Sequence, residues 1–83
     1  MKDLGTIHQS IKKYYIEASL KYSGEEDMKV GVQSLGITIL FFENSIENDF
    51  IIRDTRNFVY DLIKTLPNKE SKKLLKGLLK IIK

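Results

Sequence analysis

The chain contains no cysteine and no tryptophan, and only one histidine and one proline among its 83 residues. Without cysteine it offers no disulfide, thiolate zinc site, iron–sulfur cluster or thiol nucleophile. His8 alone would have to supply any imidazole acid–base chemistry or histidine-based metal site. Beside Ile7 and Ile11, in the first turn of a helix, it reads as a boundary residue. The glycines form neither GxGxxG nor GxxxxGK[ST], so no phosphate-cradling loop is encoded. No Glu-x-x-His pair is present for a di-metal bundle. Glu25, Glu26 and Asp27 lack the alternating oxygen ligands of a calcium loop and suit the positive end of a helix dipole instead. The expectation is a non-enzymatic protein with no cofactor and no metal. No apolar run approaches the ~20 residues of a membrane span. Residues 1–6 also lack the apolar core of a secretory leader, so a cytoplasmic location is expected.

What is present suits a small folded domain. The chain is 42% hydrophobic and 30% charged, which argues against disorder. Its length argues for a single helical domain over residues 1–83. The organising stretch is residues 25–46. It holds the longest apolar run, residues 37–42, and no lysine or arginine after Lys29. Met28, Val32, Leu35, Ile39, Phe42 and Ile46 step by three and four, which keeps one stripe on one helical face. Val30, Ile37 and Phe41 add a second apolar flank, and a helix apolar over most of its circumference belongs inside a bundle.

Three further helices surround this one. Thr6 and Gln9 have the spacing of a capping box, so helix one is predicted to begin there. It buries Ile7, Ile11, Tyr14, Ala18 and Tyr22, with Tyr15 widening the stripe, and ends at Gly24. Ser23 and Glu26 offer a second capping box for helix two, which runs to about Ile46. Gly31 and Gly36 each cost this helix roughly 1 kcal/mol against alanine, a sacrifice that lets a neighbouring helix approach closely. Asn48 or Asp49 caps a third helix burying Ile51, Ile52, Phe58, Val59, Leu62, Ile63 and Leu66, with Arg53, Asp54, Arg56, Asn57 and Asp61 outside. Pro67 stops it. Asn68 caps a fourth helix with Leu74, Leu75, Leu78, Leu79 and Ile82 inside.

The fold class is therefore all-α, an up-and-down antiparallel four-helix bundle. The expected core is Ile11, Tyr14, Val32, Leu35, Ile39, Phe42, Phe58, Leu62, Leu75 and Leu78. The alternative is an α+β fold with a hairpin at about 28–42, where β-favouring residues flank a glycine-containing turn.

Two patterns invite functional readings besides packing. Residues 31–36, Gly-Val-Gln-Ser-Leu-Gly, resemble the phosphopantetheine attachment segment of acyl carrier proteins, which are four-helix domains of about this length. The resemblance implies Ser34 as a carrier serine at the start of a helix. Gln33 stands where that family has aspartate, and the stretch that follows is apolar rather than acidic. Tyr14, Tyr15 and Tyr22 lie near Lys12, Lys13 and Lys21. That mixture stacks bases and neutralises phosphates in single-strand binders, but equally supplies core with hydroxyls at the rim.

Charge is unevenly distributed. Residues 1–68 carry eight basic and ten acidic side chains, net −2, whereas residues 69–83 carry six lysines and one glutamate, net +5. Lys69, Lys72, Lys73, Lys76, Lys80 and Lys83 fall opposite the leucine stripe and are the candidate partner-binding residues. The leading expectation is a helical interaction protein, an accessory subunit, adaptor or inhibitor, that binds a larger protein through a rigid surface. Phosphate contacts to nucleic acid, an anionic membrane surface and a homodimer are the other partners compatible with this pattern. The small helical bacteriocin-immunity proteins are similar in size and expected architecture, which gives a membrane-proximal protective role as a further alternative.

Overall fold

The computed structural model describes residues 3–82. Among them are four α-helices, α1 (Leu4–Lys21), α2 (Lys29–Asn44), α3 (Ile51–Thr65) and α4 (Lys69–Ile82), with one 3₁₀ turn, Glu26–Met28, leading into α2. No strand occurs among the described residues, so the hairpin alternative at 28–42 is excluded: three-and-four stepping prevails over local β propensity. Each helix touches its neighbours in the chain, α4 closes the ring against α1, and α2 and α4 meet across the middle. Antiparallel pairing of α1 and α2 is fixed by two contacts. His8 reaches Glu43 at 2.8 Å near one end, and Tyr15 lies against Gly36 in the middle.

The helix ends obey local chemistry, though not always at the predicted residue. Helix α1 begins two residues before Thr6. Asp3 is its cap: one carboxylate oxygen accepts from the Gly5 amide at 3.1 Å and the other from the Thr6 hydroxyl at 3.0 Å. Aspartate accepts through two oxygens and outcompetes the threonine, whose hydroxyl becomes a donor to it. Gly24 takes φ +82°, as a left-handed stop requires. The Ser23–Glu26 capping box does not form. The chain enters α2 through the 3₁₀ turn, whose cap, Glu25, makes no side-chain bond. Asn48 accepts from the Phe50 amide at 2.9 Å and donates to Asp54 at 2.8 Å before α3. Leu66 is extended, ψ 144°, as a residue preceding proline must be. Asn68 caps α4 as predicted, accepting from the Ser71 amide at 2.8 Å.

The core joins all four helices through Ile7, Ile11, Leu35, Ile39, Phe42, Ile51, Val59, Leu75, Leu78 and Ile82, with Met28 closing one end. Tyr14, Val32, Phe58 and Leu62, expected inside, are half-buried. Tyr14 remains at the rim because its hydroxyl donates to the Leu74 carbonyl at 2.6 Å. Phe58 stacks on Phe41 with 4.3 Å between ring centroids. Asp54 and Arg56 are half-buried rather than outermost, and Thr55 between them is fully buried.

Helix α2 is not enclosed all round. It ends at Asn44, which leaves Ile46 outside the helix and exposed, and Val30, Ile37 and Leu40 are also exposed. A ring of four helices gives α2 neighbours on three sides only, so its fourth face meets water whatever its composition. The two glycines of α2 do admit close neighbours. A Cβ on Gly31 would stand 2.9 Å from the Ser71 hydroxyl oxygen of α4, and one on Gly36 3.4 Å from the Tyr15 ring of α1.

Candidate functional site

The fourth helix is held at its start by backbone anchors. Asn68 donates its side-chain amide to the Asp27 carbonyl at 2.8 Å, and the Ser71 hydroxyl donates to the same carbonyl at 3.3 Å. Ser71, Leu75, Leu78 and Ile82 then face inward and are fully buried. At 3.6 residues per turn, Lys69, Lys72, Lys73, Lys76 and Lys80 fall within an arc of about 100° on the opposite side. Lys69, Lys73, Lys76 and Lys80 are exposed and Lys72 is half-buried. Among the described residues none of these five ammonium groups is paired with a carboxylate. Lys83 lies outside the described residues. Because Ser71 packs on Gly31, the inward side of α4 faces α2 and the lysine arc points away from it.

An open groove of about 550 Å³ runs between α1 and α4, lined by Tyr14, Glu17, Lys21, Tyr22, Glu70 and Lys73 among others. Its charges are mixed, two lysines against two glutamates. Burial pushes the Tyr14 phenol above the ordinary tyrosine range, and repulsion from Tyr22 adds to this. The Lys21 ammonium sits 5.4 Å from the centre of the Tyr22 ring. Tyr14 and Tyr15 each have a helical neighbour, at Leu74 and Gly36 respectively, so the α1 tyrosines are committed to packing rather than aligned as a stacking platform.

The remaining candidates sit in packed or paired positions. His8 stacks on Phe42 at 5.8 Å and 14° while its Nε2 meets Glu43, the geometry of a boundary residue tying α1 to α2. Among the described residues no cluster of three potential metal ligands occurs. Ser34 is buried in the interior of α2, and its hydroxyl donates to the Val30 carbonyl at 2.9 Å. A carrier serine must be accessible at a helix start, so the resemblance to acyl carrier proteins does not extend to the site.

One surface escaped the sequence reading. Ile16 and Leu20 of α1 are exposed, as are Ile37 and Leu40 of α2, with exposed Lys12 and Lys13 flanking Ile16 on α1. The available signal was that Ile16 and Leu20 share a four-residue spacing but fall outside the buried stripe Ile7–Ile11–Ala18. Comparison of the chain with models of known protein families, with curated proteins and with solved structures found no match.

Proposed function

We propose that this chain is a non-enzymatic helical interaction protein, an accessory subunit, adaptor or inhibitor acting in the cytoplasm, which presents α4 to an acidic surface of a larger protein. The observation that supports this reading most is the arc of five lysines on α4, none paired with a carboxylate among the described residues. Such an arc speeds encounter with a negatively charged partner and disfavours a positive one. The rigid platform beneath it, anchored through Asn68 and Ser71, keeps the ordering cost of binding low.

The test is affinity capture from the native cell with the intact chain beside a variant in which Lys69, Lys72, Lys73, Lys76 and Lys80 are changed to glutamine. The expected result is an acidic protein held by the intact chain and lost by the variant. The same protein retained by both would contradict the reading. DNA or RNA recovered in its place, with affinity falling steeply with salt, would transfer the lysines to phosphate contacts. Binding confined to anionic vesicles would favour the membrane-proximal role.

A further inference from the structure

The lysine arc borders the groove between α1 and α4, because Lys73 belongs to both. Inside, the groove is lined by Ala18 and Leu74, which are buried, and by Tyr14 and Tyr22, which are half-buried. Resting on the reading of the arc as the docking surface for an acidic partner, we infer that an apolar side chain of that partner, carried on the same acidic segment, seats in this groove between Tyr14 and Tyr22.

Magnitudes call for such an anchor. An exposed ion pair strengthens binding by about twofold. Five such pairs multiply affinity roughly thirtyfold. That falls far short of the roughly millionfold that separates molar from micromolar dissociation. The arc therefore speeds encounter, and a lasting complex needs a desolvated contact beside it. The groove has the properties of one. Its volume of about 550 Å³ is that of a binding cleft. Gly77, one helical turn beyond Lys73, lets Tyr14 lie against α4, and the Tyr14 hydroxyl is fixed on the Leu74 carbonyl at 2.6 Å. This wall is ordered before any partner arrives, and tyrosine is enriched among residues that carry binding energy. Charge inside the groove selects nothing by itself, since Lys21 and Lys73 balance Glu17 and Glu70. The adjoining arc supplies the selection, because it favours an acidic segment and brings that segment's apolar member to the groove. Lys21 stands over the Tyr22 ring at 5.4 Å but is exposed, so an incoming side chain moves it aside at small cost. Its ammonium is then available to a partner carboxylate.

The chain has no tryptophan, so the indole emission of an added peptide reports that peptide's surroundings alone. The probe is a peptide of glutamates with one central tryptophan, titrated with the full chain beside a counterpart carrying alanine at the centre. The expected result is a saturable blue shift of the tryptophan emission. The alanine peptide should compete for the site only at about tenfold higher concentration. Tyr22→Ser should abolish the blue shift and leave the weaker, lysine-dependent binding, with helical circular dichroism unchanged. An alanine peptide that competes as well as the tryptophan peptide, or binding without a blue shift, overturns the inference while leaving the arc in place. Undiminished binding by the five-lysine glutamine variant, or no binding of either peptide at millimolar concentration, overturns the arc reading and this inference with it. The comparison of the two peptides uses the intact chain, so it decides the matter even if Tyr22→Ser perturbs folding.

Discussion

Single residues carry much of this bundle's specificity. Phe42 is fully buried at the junction of α2 with the other helices and supports the His8 ring. Phe42→Ala removes a large buried surface and leaves a cavity, so a loss of roughly 3–5 kcal/mol is expected in denaturant unfolding. Tyr14 makes a subtler contribution. Its hydroxyl bond to Leu74 occupies the space above Gly77, where an added Cβ would fall on the phenol oxygen. Tyr14→Phe should cost about 1 kcal/mol at neutral pH. Its raised folded-state pKa also gives a pH signature. Below the unfolded tyrosine value near 10 the phenol is neutral in both states and its contribution is complete. Above that value the unfolded chain loses the proton more readily, and the contribution declines as pH rises through the folded value. The stability gap between the intact protein and Tyr14→Phe should therefore narrow above about pH 10, measured by paired unfolding curves.

Among the elements, α2 is the most informative because its two glycines do different things. At Gly31 the neighbour is the Ser71 side chain at 2.9 Å and its Cα at 3.3 Å, a contact with little freedom to yield. Gly31→Ala should destabilise by about 1–2 kcal/mol, overpacking outweighing the gain in helix propensity. At Gly36 the nearest atoms belong to the Tyr15 ring at 3.4–3.6 Å, an ordinary contact. Gly36→Ala should be neutral or stabilising by up to about 1 kcal/mol. Thermal melts of the two variants, side by side, distinguish these signs. The helices themselves were legible in the sequence because apolar spacing, Gly24, Pro67 and Asn68 all agree. The first cap was not, since Asp3 and Thr6 both suit it and only the geometry shows the carboxylate taking the amide. Nor was Thr55 legible as a core residue. It is a polar side chain among charged neighbours, and its buried hydroxyl has no hydrogen-bond partner among the described residues.

At the scale of the molecule, a lysine arc lies along one side of α4, while the exposed apolar side chains Ile37 and Leu40 stand on α2 and Ile16 and Leu20 on α1, the latter interspersed with exposed Lys12, Lys13 and Glu17. The first half of this arrangement could be read directly, because six lysines within fifteen residues fall opposite a leucine stripe. The second could not. Whether Ile16, Leu20, Ile37 and Leu40 are inside or outside depends on where neighbouring helices pack, which periodicity alone leaves undetermined for a helix apolar on two flanks. The lysine arc is the surface on which we propose that an acidic partner docks.

The most direct measurement is the affinity of the captured partner for three forms of the chain: intact, the five-lysine glutamine variant, and Ile37→Asp. The predicted result is loss of binding in the lysine variant alone, with helical circular dichroism unchanged in all three. Full binding by the lysine variant and none by Ile37→Asp would contradict it and move the working surface to α1 and α2.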